Sequence, residues 1–255
     1  MDKKNAIIIA VTGKGGVGKT SISAVIVRCL VDAFPGKRIL AIDADPAVGL
    51  ATALGIEPRL TIDDIRKNII ENVEGGNTKE AIELIGEVRY RIYDALVEKD
   101  GFSFIAVGRP ESEGCYCKIN SYLREVITLL SEQFDYVVID GEAGIEQVNR
   151  RVMEKVTNLI LVTDPSKKGT QVIQTIKKVA DELVMYKDVA VIVNRLTDDS
   201  LKEFVDTGGL RVLSYIKNDD ELALCDVKGQ SVFKLPAENA VVCGVKDALK
   251  NMNVL

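Results

Sequence analysis

An α/β fold, with a mostly parallel central sheet flanked by helices on both faces, is what this 255-residue sequence predicts. Three observations predict it. Short β-rich runs alternate with helical stretches along the chain, the pattern of repeated βαβ units. The first of these runs, Ala6-Ile7-Ile8-Ile9-Ala10-Val11, is apolar without alternation, as a strand covered on both faces must be. It leads through a glycine-rich loop into a stretch whose apolar residues Ile22, Val25, Ile26, Cys29 and Leu30 recur at helical spacing as far as Phe34-Pro35-Gly36.

Further strands are predicted over 38–43, 102–107, 136–140, 159–163, 189–193 and 211–216, each a short β-rich run. Helices are predicted from Thr61, whose hydroxyl suits an N-cap, to 73, and over 79–98, 119–133, 168–187, 199–206, 219–228 and 236–251. Pro236 suits the first position of the last helix, where an N–H has no helical partner. No Pro/Gly/Ser-rich linker and no internal repeat divides the chain, so residues 1–255 are expected to form one domain. The stretch 47–101 is long for a crossover between two strands and is expected to pack as a helical insertion beside the sheet.

Composition excludes several classes. At 47% hydrophobic and 28% charged residues the chain can build a continuous sheet core. A net charge of -5 and a pI near 5.1 disfavour a general nucleic-acid surface. With no signal peptide and no apolar run approaching about 18 residues, the chain is expected to be soluble and cytoplasmic, without a membrane partner. Five cysteines, Cys29, Cys115, Cys117, Cys225 and Cys243, point to thiols or metal ligands rather than a disulfide scaffold. Cys29, Cys225 and Cys243 are expected as packed thiols. The chain has no histidine, so any metal other than Mg²⁺ must rely on thiolates or carboxylates.

The chemistry concentrates in loops at the C-terminal ends of strands, which in a parallel sheet share one rim. Residues 13–20 read Gly13-Lys14-Gly15-Gly16-Val17-Gly18-Lys19-Thr20, a phosphate-binding loop in which backbone N–H groups and a helix N-terminus surround nucleotide phosphates. Lys19 is expected to reach the β and γ oxygens and the Thr20 hydroxyl to hold Mg²⁺, with Ser21 beside it in the nucleotide-binding set. The class is therefore a three-layer P-loop NTPase. Asp140, ending Tyr136-Val137-Val138-Ile139-Asp140, stands where such enzymes order Mg²⁺, and Gly144 permits a close approach to a γ-phosphate. Either Asp43 or Asp45, in Asp43-Ala44-Asp45-Pro46, can polarise the attacking water, because there is no imidazole to do it. An ordinary cap or turn role is the alternative for each aspartate. Asn194, followed by Arg195, can pair with the N6/N7 edge of adenine. With no Asn-Lys-x-Asp guanine signature there, ATP and ADP are the expected nucleotides. Lys14 is a second cation inside the loop.

Residues 13–20, Asp43-Ala44-Asp45-Pro46 and the segment from Asp140 to Glu146 together resemble the deviant Walker A ATPases, the group that includes MinD, ParA and the nitrogenase iron protein. Within it, Glu113-Gly114-Cys115-Tyr116-Cys117, Asn120-Ser121-Tyr122-Leu123 and Ala143-Gly144-Ile145-Glu146 resemble the CooC-type nickel-insertion ATPases. That resemblance implies an ATPase working as a homodimer, with Lys14 crossing the interface to the partner's phosphates. It implies that Cys115 and Cys117 meet their counterparts on the two-fold axis, where two pairs make up a four-thiolate set suited to Ni²⁺ or Zn²⁺. The implied client is a nickel–iron–sulfur enzyme of the carbon monoxide dehydrogenase/acetyl-CoA synthase type. Two other readings remain open: a bridging [4Fe–4S] cluster that donates electrons, and a MinD- or ParA-like positioning switch. Gln147 stands where many of these relatives carry His, and Lys217 where they often carry Pro.

Overall fold

The computed structural model describes residues 6–74, 87–88, 90–108, 124–125, 127–141 and 155–255. Its centre is an eight-stranded sheet in the order β3-β4-β2-β5-β1-β6-β7-β8. The strands are β1 (Ile7–Gly13), β2 (Ile39–Asp43), β3 (Val97–Lys99), β4 (Phe102–Ala106), β5 (Tyr136–Asp140), β6 (Asn158–Thr163), β7 (Asp188–Leu196) and β8 (Val212–Lys217). All neighbours are parallel except β3, which pairs antiparallel with β4. β1 therefore lies between β5 and β6, although the chain passes from β1 to β2 first.

Two apolar layers explain the unbroken hydrophobic runs. One face of the sheet carries Ile9, Val11, Ala41, Val138, Ile160 and Ile192 against α1 (Lys19–Ala33) and the C-terminal helix Ala240–Asn251. The other carries Ala10, Leu40, Ile42, Val137, Ile139 and Leu161 against α3 (Ile62–Glu74) and α4 (Lys167–Leu183). Successive strand residues thus point into different cores, and neither face can be polar. In α1 the residues Ile22, Val25, Ile26 and Leu30 are wholly buried, each worth roughly 1.5–3 kcal/mol of burial. The short α2 (Gly49–Leu54) and α5 (Asp220–Val227) complete the helices whose full bounds are described. Counting these, the C-terminal helix is α6.

Local chemistry shifts several predicted boundaries. The helix expected to run to Glu98 gives way to β3, because Asp100-Gly101 forms a two-residue hairpin turn between Lys99 and Phe102 with Gly101 at φ 86°. α6 begins at Ala240 rather than Pro236: the Asn239 side chain accepts from Val241 N and Val242 N and caps it there. α4 starts at Lys167 because Ser166 accepts from Gly169 N. The stretch 199–206 forms a 3₁₀ turn, Asp199–Phe204, and an unpredicted one covers Val232–Lys234. Among the described residues, no helix is long and apolar enough to cross a membrane.

Candidate functional site: a phosphate loop beside two buried carboxylates

β1 delivers the chain to the rim at Gly13, whose backbone passes so close to β6 that an added Cβ would sit 2.0 Å from the Val162 carbonyl oxygen. The loop then turns through Gly18, at φ 89°, into α1. α1 has no side-chain cap and no acidic residue in its first turn, whereas α4, α5 and α6 are capped by Ser166, Asp219 and Asn239. The first amides and the positive end of its dipole are left for an external anion. Gly15 and Gly16 are exposed over open space, Val17 is buried beneath them, and Thr20 and Ser21 are half-buried at the helix start. Lys19 is 8% exposed and its Nζ donates to the Lys14 carbonyl at 3.2 Å, arching over the loop where phosphates would lie.

Two aspartates end adjacent strands beside this loop. Asp43 of β2 stands opposite Asp140 of β5 in the parallel register, and Val11 of β1 stands opposite Asp140 on its other side. Both carboxylates are wholly buried. Asp43 accepts from Asp45 N at 3.1 Å and Leu50 N at 2.9 Å, so both its oxygens fasten the loop into α2. Burial, and then the charge of Asp140, push its pKa up to about 7. Asp140 accepts from Ser23 Oγ at 2.8 Å through Oδ1, while its Oδ2 is buried without a hydrogen-bond partner. Burial raises its pKa to about 6, against the nearby hydroxyls of Thr20 and Ser23 and the Lys19 ammonium. Asp45 is half-buried and accepts from Ala47 N through Oδ1 alone. Of the two aspartates expected near the attacking water, Asp45 has the freer carboxylate.

Lys14 is not isolated. Its Nζ pairs with Asp164 Oδ2 at 2.5 Å, across the groove between the β1 and β6 loops. Asp164 Oδ1 accepts from Ser166 N and Ser166 Oγ. Partial burial pushes the Asp164 carboxyl up, but the bonds from Lys14 and Ser166 outweigh it and hold it below its ordinary range.

Asn194 and Arg195 lie inside β7, not after it, at a bulge where Arg195 adopts φ 60°. Asn194 is 5% exposed and its Nδ2 donates to the Val17 carbonyl at 2.8 Å, fixing the phosphate loop from behind. An added Cβ on Gly18 would come within 2.8 Å of that nitrogen. Cys115, Cys117 and Gly144 lie outside the described residues. Among the described cysteines Cys29 and Cys225 are buried as expected, and burial followed by the Asp32 charge pushes the Cys29 thiol to about 11. Cys243 is exposed instead, because α6 turns Val242, Val245 and Leu249 inward and leaves it on the outer side. No group of three metal-ligating side chains occurs among the described residues. A cavity of about 850 Å³ lined by Ala6, Lys155 and Thr157 sits at the opposite end of β1 and β6, away from this chemistry.

The fold and the loop define a P-loop nucleotide-binding protein. The chain matches the CobQ/CobB/MinD/ParA nucleotide binding domain over residues 8–232. It is 36% identical over 245 residues to the ATP-binding protein MJ0685 of Methanocaldococcus jannaschii, covering 94% of this chain and 96% of that protein. It is 30% identical over 246 residues to the carbon monoxide dehydrogenase accessory protein CooC of Rhodospirillum rubrum, covering 89% of each. In fold it is similar to the MinD cell division protein of Aquifex aeolicus, with a TM-score of 0.69, 21% identity and 97% of both chains covered. The chain belongs to the CobQ/CobB/MinD/ParA family of P-loop ATPases.

Sequence reasoning missed Ser23 and Asp164. Ser23 carries no motif signal. Asp164-Pro165 follows the end of β6 as Asp45-Pro46 follows β2, and that repeated Asp-Pro at a strand end was a usable sign.

Proposed function

We propose that this chain is an ATP-hydrolysing metallochaperone, cytoplasmic and homodimeric, that carries nickel to an enzyme of the carbon monoxide dehydrogenase/acetyl-CoA synthase type. One observation carries the hydrolytic part: a buried carboxylate, Asp140, with one oxygen free of hydrogen bonds, set between the phosphate loop and Asp43. An orphaned buried carboxylate oxygen beside the Thr20 hydroxyl fits Mg²⁺, and the two would hold it. The ion would supply charge neutralisation for the bound phosphates.

The chain's own residues account for the rest. The α1 amides and Lys19 bind the phosphates, and Lys19 exchanges the Lys14 carbonyl for a phosphate oxygen. Asp45 orients the attacking water, and Asp43 keeps the Asp45 loop in place. Asn194 has a second amide hydrogen and its Oδ1 for the adenine edge while the first hydrogen stays on Val17. Lys14 leaves Asp164 and reaches the partner's phosphates, where it stabilises charge developing on the γ-phosphate. Closure brings two Cys115/Cys117 pairs to the axis as a four-thiolate site for Ni²⁺ or Zn²⁺, and hydrolysis opens it. The cargo part is supported by the C-x-C pair and the similarity to CooC.

Turnover in trans has a plain signature. ATP hydrolysis per chain should rise with protein concentration, and Lys14→Ala should abolish that rise while nucleotide binding persists. A specific activity that stays constant on dilution to nanomolar protein would refute the dimer.

A further inference from the structure

Ser23 lies one turn beyond Thr20 on α1, and residues three apart in a helix share a face. A serine or threonine in a helix ordinarily returns its hydroxyl hydrogen to a carbonyl of the preceding turn. Thr128, Ser131 and Thr175 all do so, donating to the carbonyls of Arg124, Ile127 and Gln171. Ser23 does not. Its Oγ donates across the core to Asp140 Oδ1 at 2.8 Å, between two wholly buried side chains. The backbone of Asp140 is fixed by β1 on one side and β2 on the other, so rotation of the carboxylate about its own bonds is the freedom left to it. The Ser23 bond engages Oδ1 and, with the nearby Thr20 hydroxyl, restricts that freedom, while Oδ2 is left without a hydrogen-bond partner as the atom available to a metal.

We propose that Ser23 is a positioning residue of the magnesium site: it holds the Asp140 carboxylate so that a single oxygen is presented to the metal. The proposal rests on the reading of Asp140 and Thr20 as the Mg²⁺ ligands. Without Ser23 the carboxylate samples other rotamers, and binding must order it first. Partners that orient metal ligands in this way typically change metal affinity by about 10–100-fold when removed.

The experiment titrates Mn²⁺, followed by its paramagnetic resonance, into the ADP-loaded full chain, for wild type, Ser23→Ala, Ser23→Thr and Asp140→Asn. Melting in EDTA and ADP affinity in EDTA serve as readouts that metal does not touch. Ser23→Ala should weaken Mn²⁺ binding about tenfold, leave ADP affinity in EDTA unchanged, lower melting in EDTA because a buried carboxylate loses its donor, and raise the Mg²⁺ concentration needed for half-maximal hydrolysis more than it lowers the saturated rate. Ser23→Thr, which keeps the hydroxyl, should recover most of the affinity. Ser23→Cys, close in volume but a weak donor, serves as the control for that loss of stability and must also lose Mn²⁺ affinity. Wild-type Mn²⁺ affinity in Ser23→Ala, together with its loss in Asp140→Asn, overturns the role of Ser23 alone. Wild-type affinity in Asp140→Asn overturns the magnesium reading itself.

Discussion

Replacing Asp164 by Asn should tighten the proposed ATP-dependent dimer. In the structure Lys14 is paired with Asp164 of its own chain, and a lysine that is to reach a partner's phosphates must first leave that carboxylate. The two side chains are 24% and 20% exposed, so the pair belongs near the upper end of solvent-accessible ion pairs, at about 1 kcal/mol. Closing a two-fold dimer breaks it twice, a cost of about 2 kcal/mol, or roughly 30-fold in the dimer dissociation constant. Asn keeps the size and can still accept from Ser166 N, but it removes the charge that competes for Lys14. Sedimentation equilibrium with Mg²⁺ and a non-hydrolysable ATP analogue measures the constant directly. High salt should narrow the difference between variant and wild type, since it screens the same pair. Unchanged or weaker dimerisation of Asp164→Asn, with nucleotide affinity intact, would show that the Asp164 pair does not oppose closure.

Three further outcomes follow from the same geometry. Asp43 and Asp140 carry pKa values raised to about 7 and about 6, so between roughly pH 4 and pH 7 the folded chain holds protons that the unfolded chain has released. Stability in EDTA should therefore be highest toward the acid side of that window and fall as pH rises through about 7; denaturant titrations showing a steady rise from pH 5 to pH 8 would contradict it. Asn194→Ala leaves the Val17 carbonyl without its donor, which should cost about 1–3 kcal/mol of stability and weaken ADP binding, checked by melting and calorimetry. Gly13→Ala places a Cβ against the Val162 carbonyl oxygen at the C-terminal end of the β1–β6 pairing, and should lower the melting temperature more than Gly15→Ala, whose Cβ meets open space.

Much of the fold was legible because the parallel strands are short apolar runs and the helices between them repeat at helical spacing. Hairpin chemistry was harder to see: Val97-Glu98-Lys99 continues a helical spacing, and the Asp100-Gly101 turn overrides it. The phosphate loop was legible residue by residue from its motif, and close approaches, of Gly13 to Val162 and of Gly18 to Asn194, account for two of its glycines. The partners of its charged groups were not. Ser23 and Asp140 are 117 positions apart, and Lys14 and Asp164 are 150 apart. The strand order, which inserts β5 and β6 on either side of β1, creates both contacts. Asn194 was legible as a residue of interest, while its position inside a bulged β7 and its bond to Val17 came from packing.

The proposed coupling of nucleotide to metal runs through one dimer, and metal analysis of anaerobically purified protein with and without ATP tests it. One Ni²⁺ or Zn²⁺ per two chains is expected in the ATP-closed state, lost in the Cys115→Ala/Cys117→Ala variant with nucleotide binding intact. Iron and sulfide in a four-to-one ratio of each to dimer would instead mark a bridging [4Fe–4S] cluster, and ATP-dependent sedimentation with liposomes or DNA a positioning switch. Half-equivalent metal retained without either cysteine would rule out the four-thiolate site.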